Sequence, residues 1–345
     1  MKPGDILLHR LYHQQIAATA FTKPEQIVSW LTAMQSQEYA QAKWAIGLRV
    51  PGLRDADVEQ AFNEGKILRT HVMRPTWHFV CPEDIRWLLQ LTAPRIHQLS
   101  AYYYRQADLD AGIFHKAHKI IAKTLEGHQY ATRTVLQEAL RKGKIIASGV
   151  RLAYIMIYAE LEGLVCSGPR EGKQFTYALL EERAPAVKPL AREDALAAFV
   201  NRYFTSRGPA TVQDFAYWSG LTVKDAQDGA AQLPSTFIRK MIDGREYIYL
   251  PISPDKKLKN ATFIMPDYDE YGMSYKDREA LMPPEHVNGV FDHCMVVDGR
   301  IAGSWKKAPK NGITTIPFIA LSDAKRKALE KAVKRYTAFQ AGAVS

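Results

Sequence analysis

The stretch Gly163-Leu-Val-Cys-Ser-Gly-Pro-Arg-Glu-Gly-Lys-Gln-Phe-Thr-Tyr-Ala-Leu179 reads as strand, basic turn, strand. Arg170 and Lys173 flank a glycine-bearing tip. Three helices are expected ahead of it. Residues 113–125 form the first, and Thr132 caps a second with Val135, Leu136 and Leu140 on one face. Ser148-Gly149 then breaks the chain, and 150–161 forms the third. Helices followed by a two-stranded ribbon describe a winged helix, a variant of the helix-turn-helix.

The same order is legible on both sides. Upstream, Thr22 and Glu25 fit a capping box with Pro24 in the first turn, and Ile27, Val28 and Leu31 recur at helical spacing. Residues 67–72 and 76–80 alternate as strands with Arg74-Pro75 at the bend. Cys81-Pro82-Glu83-Asp84 then opens a helix over 84–91. A connecting helical region follows, holding Tyr102-Tyr103-Tyr104-Arg105. Downstream of a proline-bearing linker at 181–189, residues 195–204 are helical, Thr211 caps 212–218 and Thr222 caps a further helix. Segments 237–241 and 247–250 flank Asp243-Gly244 as a hairpin. After Pro251 the pattern changes to polar loops, three short strands (290–298, 300–306 and 312–319) and a closing helix over 322–339. The expected fold class is α+β: tandem winged-helix domains followed by a small β-domain. The boundaries are 1–110 for the first winged helix with its connecting helices, 111–185 for the second, 190–252 for the third and 253–345 for the β-domain.

A chain of 345 residues, 47% hydrophobic and 24% charged, can bury several cores. Its net charge of +10 points to a polyanionic partner, nucleic acid ahead of an anionic membrane surface. Cys81, Cys166 and Cys294 are odd in number and far apart, which suits free thiols in a reducing compartment. Asp5, His9, Arg10 and His13 interrupt any signal-peptide core, and no apolar run approaches a membrane-spanning length. The expectation is a cytoplasmic, nucleoid-associated monomer with no membrane association.

One pair of side chains in the first unit draws attention. Gln35 and Gln37 stand one residue apart, and in an extended segment alternate side chains share a face. Each amide offers a carbonyl acceptor and two N–H donors, so the two suit holding a water or reading a base edge. The competing reading has them bonding backbone at a helix end. Candidate DNA contacts are Arg133, Lys142, Lys144, Arg151, Arg170 and Lys173 in the second unit, and Arg74, Trp77 and His78 in the first hairpin, with His71 beside them. The bland alternatives are a solvated basic surface and a core tryptophan. Tyr102 to Tyr104 offer stacking faces, although at least one must face a core. His115-x-x-His118 has no third ligand in view. Asp267, Asp269, Glu270 and Asp277 suit a polar turn network better than a cation site.

The whole chain resembles the AlkZ-like DNA glycosylases, a family that includes a YcaQ branch. The resemblance rests on Gln35-Ser-Gln37, on Leu68-Arg-Thr-His-Val-Met-Arg-Pro-Thr-Trp-His-Phe79, on Asp267-Tyr-Asp-Glu-Tyr with Tyr275-Lys-Asp-Arg278, and on Asn288-Gly-Val-Phe with Val297-Asp-Gly-Arg300 and Gly303-Ser-Trp305. It implies three winged helices in a C shape with a C-terminal β-barrel. It also implies that Gln35 and Gln37 are the catalytic motif, since the AlkZ branch carries Gln-x-Gln where the YcaQ branch carries Gln-x-Asp. The activity implied is hydrolysis of the N-glycosidic bond of alkylated purines in double-stranded DNA. Some members also unhook interstrand crosslinks. The resemblance adds no requirement for a metal or organic cofactor.

Two amides suit a narrow chemistry. An amide is a poor base, and forgoing general-base help costs typically ~10²–10⁴-fold. The pair can still fix the line along which a water attacks C1′. That suffices when the leaving group departs easily, as does a purine made cationic by alkylation at N7 or N3. No amine nucleophile for a lyase step is identifiable. Two other readings remain: a non-catalytic winged-helix regulator protecting a defined sequence, and a scaffold with weak DNA affinity.

Overall fold

A computed structural model describes residues 3–184, 186–252, 260–282, 293–309 and 312–341. Helices α1 (Pro3–His13), α2 (Pro24–Leu31), α3 (Tyr39–Arg49) and α4 (Asp55–Asn63), with strand β1 (Ala33–Gln35), precede the ribbon of β2 (Leu68–Val72) and β3 (Thr76–Val80). Next come α5 (Pro82–Gln106), α6 (Ala111–Leu125), β4 (Ala131–Thr132), α7 (Arg133–Lys142), α8 (Gly149–Leu161), β5 (Val165–Ser167), β6 (Thr176–Leu179) and α9 (Leu180–Arg183). The chain continues with α10 (Arg192–Arg207), α11 (Val212–Ser219), α12 (Val223–Ala231), β7 (Ile238–Ile242) and β8 (Arg245–Tyr249). It ends with β9 (Thr262–Ile264), α13 (Glu270–Met273), β10 (Cys294–Val297), β11 (Arg300–Ala308), β12 (Gly312–Pro317) and α14 (Asp323–Gln340). Among the described residues no helix is long and apolar enough to cross a membrane.

The chain groups into two units: Met1–Gln60 with Leu196–Trp218 and Thr222–Ser345, and Ala61–Ala195 with Ser219–Leu221. In the second unit the expected strand–turn–strand segment forms. Strands β5 and β6 pair antiparallel with Ser167 opposite Tyr177, and β4 adds to the other side of β6 through Ala131 and Tyr177. Phe114, Ile121, Leu136, Leu140, Leu152, Ile155, Val165 and Tyr177 share one core. Thr132 caps α7 by accepting the Val135 N–H. Val135 itself is half exposed. It is one position off the Leu136–Leu140 stripe, and one residue turns a helix by about 100°, away from the core. The ribbon β2–β3 pairs from Leu68–Val80 to Val72–Thr76. The helix expected at 84–91 and the connecting region behind it are one helix, α5, with Pro94 inside it.

The third round repeats the second: a helix, a bridging residue, two helices and a ribbon. Ala210 bridges Ile248 of β8, as β4 bridges β6. Thr222 and Asp225 form a reciprocal capping box on α12. At α2 the expected Thr22–Glu25 box is replaced by Gln26, whose Oε1 accepts the N–H groups of Thr22 and Lys23, each at 2.9 Å. Gln26 rather than Glu25 is the third helical residue, since the helix opens at Pro24.

The C-terminal strands form a four-stranded antiparallel sheet in the order β12-β11-β10-β9. Strand β9 was not apparent in the sequence, and residues 290–292 of the first expected strand lie outside the described residues. Asp298 (φ 50°) and Gly299 (φ 89°) make the tight turn between β10 and β11. Helix α14 packs Tyr336 and Phe339 against Trp44 of α3, with ring centroids 5.2 Å apart in both contacts. Arg335 donates to the carbonyls of Gly47 and Leu48 near the end of α3.

Candidate active site

The glutamine pair occupies the junction from β1 to α3. That junction is held from beneath by two buried ion pairs. Arg207, closing α10, donates through Nη1 to the Leu31 carbonyl at 2.9 Å and through Nη2 to the Ala33 carbonyl at 3.0 Å. It also donates to Glu270 Oε2 at 2.9 Å. The same carboxylate oxygen accepts from Trp218 Nε1 and Ser274 Oγ, both at 2.8 Å. The other oxygen, Oε1, accepts the backbone N–H of Gln35 at 2.9 Å. Arg207 and Glu270 therefore fix the end of α2 and, through the Ala33 carbonyl and the Gln35 N–H, strand β1. The second pair is bidentate: Arg49, at the end of α3, donates to both Asp269 oxygens at 2.8 Å. Gln14 links the two pairs, accepting from Arg49 and donating to the Glu270 carbonyl and to Tyr275 Oη. Burial pushes the Tyr275 phenol up to about 12, so it stays a donor, here to the Arg207 carbonyl at 2.8 Å.

On this base the two glutamines meet different surroundings. Gln35 is the last residue of β1 and only 8% exposed. Its Oε1 is buried with no hydrogen-bond partner among the described residues. Gln37 is exposed in the bend that leads into α3. Strand alternation therefore does not carry through to Gln37, because β1 stops at Gln35. Glu38 is the N-cap of α3, exposed, and its side chain makes no capping bond.

The other candidates belong to the second unit. Lys142, Lys144, Arg133 and Lys173 are exposed, Lys173 beside Gly172 (φ 58°) at the wing tip. Arg170 and Arg151 are partly buried. Arg170 lies 5.2 Å over the Phe175 ring, and Arg151 donates to the Ala107 carbonyl at 2.6 Å. Arg74 sits half-buried in the β2–β3 turn. Trp77 has the Arg69 guanidinium over its ring at 4.1 Å and the His71 ring tilted against it with centroids 3.8 Å apart. His71 is itself paired with the buried Glu160. His78 is fully buried, with Nδ1 on the Thr76 carbonyl at 2.8 Å, so its ring is not presented to a phosphate. Of the three tyrosines, Tyr102 and Tyr103 are exposed and Tyr104 faces the core.

The remaining polar clusters resolve into local pairs. Asp267 accepts from the His293 backbone at 2.6 Å, Asp269 and Glu270 serve the arginines above, and Asp277 pairs with Arg245. Burial lowers His118 and His97 below the ordinary imidazole range, against the opposing pull of Glu162. No group of three His, Cys, Asp or Glu among the described residues is arranged to hold a metal. Sequence reasoning did not find Arg49, Arg207 or Trp218. Arg49 and Arg207 are each the last residue of a helix, α3 and α10, and Trp218 is the last but one of α11.

The family described as DNA glycosylase AlkZ-like matches residues 28–339, a span running from α2 through nearly all of α14. An interstrand DNA cross-link repair glycosylase of Streptomyces sahachiroi is 21% identical over 343 residues, covering 93% of this chain and 92% of that protein. The solved structure of the Streptomyces sahachiroi DNA glycosylase AlkZ matches with a TM-score of 0.82 at 20% identity, over 98% of this chain and 96% of that one. The fold is shared from end to end, and the chain belongs to the AlkZ-like DNA glycosylase family.

Proposed function

We propose that the protein is a monofunctional DNA glycosylase that hydrolyses the N-glycosidic bond of purines carrying a positive charge from alkylation at N7 or N3. Gln35 and Gln37 orient the attacking water. The C1′–N bond breaks with its electron pair going to the base, which departs neutral. Water oxygen bonds to C1′, and its surplus proton passes to solvent. The amides accept hydrogen bonds from the water and hold its line of attack, which is the share of catalysis open to a group that is no base. A crosslink through purine N7 presents the same cationic leaving group, so the name of the Streptomyces relative fits this chemistry.

The observation that carries the reading is Gln35 Oε1, a buried acceptor with no protein donor among the described residues, two positions before the exposed Gln37. Leaving such an acceptor unmet costs about 1–3 kcal/mol, which a site for a donor would explain. The support for DNA as the partner is the family membership and the net charge of +10. Incubation with methylated duplex should yield free 7-methylguanine and heat-labile abasic sites. Gln37→Ala should lower release by about 10²-fold or more, the scale of a lost positioning group, with duplex affinity nearly unchanged. Equal losses of release and binding would assign Gln37 to docking instead.

A further inference from the structure

We infer that Gln41 is a positioning residue for Gln37, an inference that rests on the glycosylase reading. Gln41 is the third residue of α3, counted from the N-cap Glu38. A glutamine there ordinarily reaches back to the N-cap N–H and closes a capping box. Gln41 does not: its amide makes no hydrogen bond among the described residues, and Oε1 is buried without a partner. The residue is only 6% exposed. A first-turn side chain leans towards the helix N-terminus, over the turn that precedes its own Cα. From the third helical position that direction runs towards the N-cap Glu38 and the Gln37 that precedes it.

The chemistry gives this acceptor a use. An amide can present oxygen or nitrogen to a water, and the two orientations differ by one rotation about its terminal torsion. Gln37 must present oxygen to receive the water's proton. An acceptor for its NH₂ group fixes that orientation, and Gln41 Oε1 is such an acceptor. Gln37 is exposed before DNA binds. Engagement of the duplex draws it onto Gln41, and the pair then completes a site with Gln35.

The test compares Gln41→Met, which keeps the volume and removes the acceptor, with Gln41→Glu, which keeps an acceptor. A residue that only packs would tolerate methionine, since replacing an unmet buried polar group by an apolar one is neutral or stabilising. The readouts are single-turnover release of 7-methylguanine at saturating protein, duplex affinity and Tm. Gln41→Met should keep or raise Tm, keep duplex affinity and slow release by up to about 100-fold, the scale of a misplaced reacting group. Gln41→Glu should recover release to within a few-fold of wild type. Release by Gln41→Met at the wild-type rate overturns the inference, and so does slow release by both variants alike. If wild type itself releases no base from methylated or crosslinked duplex, the glycosylase reading fails and takes this inference with it. Normal wild-type release with an impaired Gln37→Ala and an unimpaired Gln41→Met would sink the inference alone.

Discussion

Glu270 concentrates the residue-scale physics of the protein. One buried carboxylate gathers Arg207, Trp218 and Ser274 on one oxygen and the Gln35 N–H on the other. Two charges out of water repay their desolvation only when every remaining lone pair and proton is met, and here the geometry comes close to that condition. Removing one partner leaves the other charge buried and unpaired. Glu270→Ala should therefore cost about 3–5 kcal/mol in urea unfolding, far above a typical surface change. A cost under about 1 kcal/mol would mean that Arg207 finds water in its place. Glu270→Gln, which can still accept from Arg207, should lose less. The partnerships with Arg207, Trp218 and Gln35 were not legible in the sequence, because residues far apart in the chain leave no mark on local pattern. The Gln35-Ser-Gln37 pair was legible, yet its meaning came from the order of the other motifs, and only the structure separates the buried amide from the exposed one.

At the scale of elements, α3 is what the site hangs from. It starts beside Gln37 and ends on Arg49, and α14 covers its middle. The close approach needs Gly47: a Cβ there would lie 2.4 Å from two ring carbons of Phe339. Gly47→Ala should cost about 1–3 kcal/mol despite the better helix propensity of alanine, because the ring must leave its place. Combining it with Phe339→Leu should cost less than the sum of the two single changes, since both act on one contact. Strict additivity by thermal unfolding would show that the ring moves aside freely. The sequence announces such elements well where the signal is local. The wing at 163–179, the caps at Thr132 and Thr222 and the Asp298-Gly299 turn all carry their own chemistry. It announces them poorly where register or packing decides. Strand β9 is only three residues long, too short for alternation to mark it, and the acidic segment read as a loop is buried because arginines from α3 and α10 reach it.

At the scale of the whole molecule, the proposed function assigns recognition to the net charge of +10 and chemistry to the candidate glutamines. Phosphate contacts set affinity and register without choosing a lesion, and they release counterions, so duplex binding should weaken linearly in log K against log salt. Lys142, Lys144 and Lys173 are exposed and distant in sequence from the glutamines. Replacing each by alanine should lower the steepness of that plot by about 0.9 for every phosphate no longer neutralised, as counterion release requires. Single-turnover release at saturating protein should stay at the wild-type rate in the triple variant, because the bound complex holds the same water and the same sugar. Gln37→Ala should show the reverse, an unchanged salt dependence with slow release. Fluorescence anisotropy across a salt series, set beside a release assay on the same duplex, distinguishes the two. If the lysine variant released base slowly and kept its salt dependence, the basic surface would belong to the chemistry, and the assignment of turnover to the amides would have to be withdrawn.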